Sequence, residues 1–191
     1  MKKIAILTSG QSRGSNFLAI YDYFIAHKLP ISIDYLVVTD KTSPIVQLAL
    51  DRNIKVKYYE TKEQKLNDFL IKTILKDPVD LIVLAGFMRK LSSDFFQSIK
   101  TPIINIHPAL LPKYGGKGMF GMNVHKAVFE AGEKVSGATV HYVNENYDEG
   151  EIISQKECDI SMCNTPEEIA KTVLKIEHEI YPKAIEMIYN L

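Results

Sequence analysis

The chain has 191 residues, enough for one sizeable domain or two tightly fused halves, and 46% hydrophobic with 24% charged residues is the balance of an ordinary globular protein. Lys+Arg and Asp+Glu both number 23, so a net charge of zero gives no field to attract nucleic acid or an anionic membrane, and no stretch approaches the ~18 apolar residues of a membrane span. The two cysteines, Cys158 and Cys163, have no histidine or third cysteine beside them, which argues against a zinc site or a disulfide framework and for a reduced, cytoplasmic setting.

The N-terminal apolar run is too short for a signal-peptide core and reads as a first strand, Ile4 to Thr8, buried on both faces. It is followed by Ser9-Gly10-Gln11-Ser12-Arg13-Gly14-Ser15-Asn16 and then a largely apolar helix from Phe17 to Ile25. Strand, Gly/Ser loop and helix present free backbone N–H groups and a helix dipole to an anion. Arg13, Ser15 and Asn16 add side-chain donors there. Glycines at 10 and 14 without a third do not make a dinucleotide fingerprint, and a plain capped turn is the simpler use of the same residues.

Ile31 to Val38 reads as a second strand. Ser43-Pro44 starts a helix to about Arg52, Ile54 to Tyr58 is a short strand, and Thr61-Lys62-Glu63-Gln64 is a capping box for a helix through Leu66, Phe69, Leu70, Thr73 and Ile74. Asp80 to Leu84 is a further buried strand. This β-α-β-α-β-α-β order predicts a doubly wound, mostly parallel sheet with ligands beyond the carboxyl ends of its strands. That rule singles out Ser9–Asn16, Ala85–Leu91 and Asn105–Tyr114. Gly86 permits a close approach, while Phe87, Met88 and Leu91 either line an apolar slot or pack in the core. Ser92 or Ser93 caps a short helix through Phe95 and Phe96.

Ile103 to His107 is an apolar strand that runs into a loop with two prolines, Pro108 and Pro112. Asn105 and His107 are two residues apart and so share a face of that strand. An amide that can donate to an oxyanion beside an imidazole that can move a proton suits acyl-type chemistry. A turn-forming Asn and a hydrogen-bonded strand-end His is the bland alternative. Gly115 to Met122 holds four glycines and reads as a mobile or ligand-hugging loop. A helix from about Asn123 to Glu130 follows. Ala138 to Val143 and a strand beginning at Ile152 flank a hairpin-like loop, Asn144 to Gly150, that carries Asp148. The rhythm loses its helices here, which predicts antiparallel additions to the sheet. Thr165-Pro166-Glu167-Glu168 opens a last helix to about Tyr189, with Glu177, His178 and Tyr181 on roughly one side. Glu177 is either solvated or turned toward a substrate amine.

Taken together and in order, Ser9-Gly10 to Asn16, Ala85-Gly86-Phe87-Met88-Arg89, Asn105-Ile106-His107-Pro108, Leu110-Leu111-Pro112-Lys113-Tyr114, Gly137-Ala138-Thr139-Val140-His141, Asp148-Glu149-Gly150 and Glu177-His178-Glu179-Ile180-Tyr181-Pro182 resemble the phosphoribosylglycinamide formyltransferase family, folate-dependent enzymes of purine synthesis. The resemblance spans nearly the whole chain. It implies a single formyltransferase domain over residues 1–191, with a Rossmann-like phosphate-binding half at 1–100 and a catalytic and folate half at 101–191. It implies Asn105, His107 and Asp148 as the catalytic trio. Arg13, Gly14, Ser15, Asn16, Pro108 and Glu177 would bind the ribonucleotide. Lys62, Met88, Arg89, Lys90, Leu91 and His141, with Asn105 and Asp148, would bind folate. The co-substrate would be 10-formyltetrahydrofolate, with no metal. Small molecules would be the only partners of a cytoplasmic monomer or homodimer, with no nucleic acid and no membrane.

Three departures stand out. The Ser9–Asn16 loop is about two residues longer than the common form, so Arg13 becomes an extra candidate phosphate contact. The segment after Tyr114 is longer and glycine-rich. Asn123 stands where a histidine is often found. Among rivals, a formyltetrahydrofolate hydrolase is expected to carry an extra N-terminal regulatory domain, whereas this chain starts at its first strand. A methionyl-tRNA formyltransferase would need a C-terminal RNA-binding domain and a basic surface. A sugar-nucleotide formyltransferase fits the Gly-Ser-Asn loop less well than a ribose monophosphate does. A binding module of the same fold would have no reason to keep all three of Asn105, His107 and Asp148.

Overall fold

The computed structural model describes residues 1–59 and 63–191, without the side chains of Glu63 and Gln64. The predicted Thr61 cap and the Lys62 folate contact therefore lie outside the described residues. In chain order the elements are β1 (Lys2–Thr8), α1 (Ser15–Ala26), β2 (Ile31–Val38), α2 (Pro44–Leu50), β3 (Lys55–Tyr58), α3 (Glu63–Lys76), β4 (Leu81–Leu84), α4 (Ser93–Ser98), β5 (Ile103–His107), α5 (Met122–Glu130), β6 (Val135–Tyr142), β7 (Ile152–Asp159) and α6 (Pro166–Ile188). The sheet order is β3-β2-β1-β4-β5-β6-β7, and the chain resolves into two compact units, Met1–Ile104 and Asn105–Leu191.

In the first unit, β1 pairs in parallel with β2 and β4, and β2 with β3. Parallel strands need crossovers, and α1 to α3 supply them. Helices on both faces bury such strands completely, so Ile4, Ala5, Ile6 and Leu7 of β1 and Leu81, Ile82 and Val83 of β4 have no exposed surface. Each of the larger side chains contributes about 1.5–3 kcal/mol by leaving water. The order of the strands reverses between β1 and β4, so the loops after these two strands lie at the switch point where doubly wound sheets bind ligands.

The second unit is built differently. β6 and β7 are antiparallel, with Val135 opposite Asp159 and Thr139 opposite Gln155, and α6 packs on both strands and on α5. β6 begins at Val135, three residues before the predicted Ala138, because Val135-Ser136-Gly137 has too little apolar character to reveal a strand without its partner. β7 is an edge with most side chains exposed, and Lys156, Glu157 and Asp159 guard it against pairing with another chain.

Two predicted helix caps hold and a third changes role. Ser92 caps α4 by accepting from the Phe95 N–H at 3.2 Å, and Thr165 caps α6 by accepting from the Glu168 N–H at 3.2 Å. Ser43 occupies the cap position of α2 without capping it. Its hydroxyl instead donates to the Ser12 carbonyl at 2.8 Å, so it fastens the first loop.

Candidate active site

In the first unit, the loop between β1 and α1 is held on two sides. The Gly10 N–H donates to Thr39 Oγ1 at 2.9 Å, Gln11 Nε2 donates to Asp40 Oδ2 at 2.5 Å, and Ser43 holds Ser12. On the other side, Ser9 Oγ accepts from the Met88 N–H at 2.7 Å, and the Ser9 N–H donates to the Gly86 carbonyl at 3.2 Å. The two loops at the switch point are thus tied to each other. Gly14 stands at the N-cap of α1 with φ +78°, and a Cβ there would lie 2.8 Å from Ile45 Cγ1, so only glycine fits. Helix geometry leaves the first-turn N–H groups of α1 without intrahelical partners, and no acidic residue stands in that turn. Arg13 is exposed, and Ser15 and Asn16 are half-buried. Met88, Arg89 and Lys90 are also exposed, whereas Leu91 is buried in the core at 6% exposure.

In the second unit, strand period places Asn105 and His107 on one face of β5, and His141 comes to the same place from β6. His141 Nδ1–H donates to the Tyr142 carbonyl at 2.9 Å, which leaves Nε2 as an acceptor, and Asn105 Nδ2–H reaches it at 3.4 Å. One amide hydrogen of Asn105 remains for other use. Asp148 sits in the left-handed region at φ +57°, a conformation that aspartate tolerates better than most residues. Its Oδ2 accepts from the Gly116 N–H at 2.9 Å and lies 3.6 Å from His107 Nδ1, while its Oδ1 lies 3.6 Å from His141 Nε2. The chain leaves this loop through Gly150, where a Cβ would stand 1.6 Å from the Tyr142 carbonyl oxygen.

His107 has little freedom. Its ring is 3% exposed, and its Nε2 lies 2.7 Å from the Tyr114 carbonyl. A carbonyl only accepts, so Nε2 carries the proton, and Nδ1 is the nitrogen that faces Asp148. The segment after His107 is pinned to β6, where Thr139 Oγ1 donates to the Ala109 carbonyl at 2.6 Å and accepts from the Leu111 N–H at 3.1 Å. Burial lowers the pKa of His141. The Tyr142 carbonyl and Asp148 oppose that shift, and His107 adds to it.

Asn105, His107, Asp148 and His141 are therefore brought together, with Pro108 next in the chain. His141, assigned by resemblance to folate, is 2% exposed and lies within the catalytic cluster. Glu177 is half-buried on α6. Sequence reading missed three contributors. The Tyr114 carbonyl and the Gly116 N–H act through backbone atoms and carry no side-chain signal. His125, 5% exposed on the buried face of α5 with Val124 and Val128, was open to detection as a histidine in the apolar stripe of an amphipathic helix. Its pKa is pushed down to about 4, first by burial and then by the neighbouring His107.

Residues 2–185 match the formyl transferase family. The chain belongs to this family. It is 36% identical over 196 aligned positions to the phosphoribosylglycinamide formyltransferase of Bacillus subtilis, covering 100% of this chain and 96% of that protein. It is also 36% identical to the chloroplastic phosphoribosylglycinamide formyltransferase of Arabidopsis thaliana, covering 96% of this chain but 64% of the plant protein, and it spans 60% of the Vigna unguiculata counterpart. The crystal structure of the Campylobacter jejuni phosphoribosylglycinamide formyltransferase aligns with a TM-score of 0.85 at 30% identity, covering 98% of this chain and 97% of that one.

Proposed function

We propose that this formyl transferase moves the formyl group of 10-formyltetrahydrofolate to the amine of glycinamide ribonucleotide, a step of purine synthesis. The observation that carries the reading is the Asn105, His107 and Asp148 constellation in a chain whose full-length relatives bear that name. The folate is a co-substrate that leaves as tetrahydrofolate. The substrate amine attacks the formyl carbon, and the carbonyl oxygen becomes an oxyanion. Asn105 donates its spare amide hydrogen to that oxygen in a site largely screened from water. The carbon–N10 bond then breaks, and one proton must pass from the amine to N10. His107 Nδ1 is the group suited to carry it, because Nε2 is committed to Tyr114. The Asp148 carboxylate stabilises positive charge on that ring.

The ribonucleotide's phosphate suits the first turn of α1, where Gly14 to Asn16 offer N–H groups and Arg13 adds a charge. The exposed Met88, Arg89 and Lys90 would meet folate, and Leu91 supports them from the core. The resemblance alone assigns Lys62 and His141 to folate and Glu177 to the ribonucleotide. The free thiols Cys158 and Cys163 accord with a reducing, cytoplasmic location.

The test is formyl transfer by purified protein with 10-formyltetrahydrofolate, with and without glycinamide ribonucleotide. Formylated ribonucleotide, formed only when that substrate is present, is the expected product. Formate released without it would replace the reading by a hydrolase, and silence in both samples would remove this pair of substrates.

A further inference from the structure

His107 is held by a backbone carbonyl, and that carbonyl belongs to a residue in an unfavourable conformation. Tyr114 has φ +57°. For a bulky side chain the left-handed region costs on the order of 1–3 kcal/mol and persists only where the surroundings impose it. The direction of the Tyr114 carbonyl, and so its 2.7 Å bond from His107 Nε2, depends on that conformation. Two residues on, the Gly116 N–H donates to Asp148 Oδ2. The short stretch 114–116 therefore sends an acceptor to the imidazole and a donor to the carboxylate that faces it.

The Tyr114 side chain is only half-buried. A cavity of about 130 Å³ lies beside Tyr114, bounded by Leu110, Val128 and Val135. The specific restraint is at the far end of the ring, where the Tyr114 hydroxyl donates to Glu133 Oε1 at 2.9 Å. Lys113 Nζ reaches the same oxygen at 3.3 Å. Glu133 follows α5, and Gly132 before it accommodates the turn with φ +68°.

From these contacts we infer that Glu133, acting through the Tyr114 hydroxyl, is a positioning residue for His107: it anchors the ring, which holds the strained backbone, which fixes the imidazole with Nε2 occupied and Nδ1 toward Asp148. The inference rests on His107 being the proton carrier of the transfer reaction. Glu133 acts on the ring through Tyr114 and is not one of the Asn105, His107 and Asp148 trio. Its carboxyl is held below the usual carboxylate range by the bonds from Tyr114 and Lys113, so it remains an acceptor throughout the neutral range.

The experiment compares Glu133→Ala, Glu133→Gln, Tyr114→Phe and Lys113→Ala in the full chain. Glutamine keeps an oxygen for the tyrosine hydroxyl, and phenylalanine keeps the ring but not the bond. Glu133→Ala and Tyr114→Phe should lower kcat by roughly 5- to 30-fold with both KM values within about twofold, the scale of one lost hydrogen bond. Glu133→Gln should restore kcat to within about threefold of wild type, and Lys113→Ala should leave it unchanged. Nitrogen-15 spectra of the imidazoles supply a readout apart from turnover, because the proton on His107 Nε2 should exchange faster in Glu133→Ala and Tyr114→Phe. Unchanged kcat and an unchanged His107 signal in Glu133→Ala, or a loss confined to KM, overturns the clamp while leaving the transferase reading intact. A Glu133→Gln variant as slow as Glu133→Ala also overturns it. An inactive wild type overturns the transferase reading, and the role of Glu133 falls with it.

Discussion

At the scale of single residues, the site concentrates its chemistry in one amide, one imidazole and one carboxylate. Asn105→Ala removes the oxyanion donor and should cost about 2.7–4 kcal/mol of transition-state stabilisation, a fall in kcat of roughly 100- to 1000-fold. Steady-state kinetics with a near-normal turnover number would take Asn105 out of the chemistry. Asp148→Asn is the cleaner change opposite His107. The new side chain can still accept from the Gly116 N–H, so the loop keeps its anchor, but the charge facing Nδ1 is gone. We expect kcat to fall with little change in either KM, and a variant that mainly raised KM would show that Asp148 binds substrate instead. Much of this site was legible in the sequence because it rests on side-chain types at fixed spacing. Asn105 and His107 are visible as a pair through strand period alone. What escaped notice was the part built from main chain. Nothing in the letters at 114 or 116 says that one carbonyl will take the His107 proton or that one N–H will hold Asp148.

Elements follow the sequence where local chemistry and burial agree, and depart from it where only a partner defines the structure. α6 is the plain case. Thr165 accepts from the Glu168 N–H, and the Glu168 carboxylate reaches back to the Asn164 N–H at 2.6 Å, one residue before the cap. The reciprocal pair, with proline at the first helical position, was readable before any coordinates. Its worth is measurable: Thr165→Ala should lose about 1 kcal/mol of stability and lower Tm by roughly 2–4 °C, with kcat unaffected. Calorimetry that showed no shift would mean that the pair from Glu168 carries the helix start alone. β6 is the contrary case. Its first residues, Val135 to Gly137, gain their strand from ladder bonds to Glu157, Cys158 and Asp159, which no local pattern announces. Ser43 shows a third kind of outcome. Its position before Pro44 was right, yet the hydroxyl turns to donate to the Ser12 carbonyl, because a loop that must be held still competes with the helix for the same side chain.

Over the whole molecule, equal numbers of acidic and basic residues leave stability to be set by particular groups whose proton affinity changes on folding, not by net charge. Among the histidines, His125 changes most. Its ordinary value of 6.5 applies to the unfolded chain, and burial followed by the nearby His107 takes it to about 4 in the folded protein. The unfolded chain therefore binds the extra proton first as pH falls, so stability rises with pH through this window. Above pH 6.5 both states carry a neutral ring and nothing is lost. Between pH 6.5 and about 4 the folded state weakens steadily, by on the order of 2 kcal/mol from this ring once solvent screening is allowed for. His141 and His178 are lowered by burial as well and act with the same sign. The carboxylates lowered by hydrogen bonds, Asp40, Asp159, Glu133 and Glu179 among them, act in a separate window, since their contribution is present above the ordinary carboxylate values and fades as pH drops through the lowered ones. Urea unfolding at intervals from pH 8 to pH 4 on the wild type and on His125→Asn separates the two. The substitution will shift the whole curve by whatever it does to packing, so the slope is the diagnostic. We expect the variant to lose less stability than the wild type between pH 6.5 and pH 4 and to run parallel to it above. Parallel curves throughout would mean that His125 gains its proton in the folded protein without penalty, and the buried, neutral ring beside His107 would have to be abandoned.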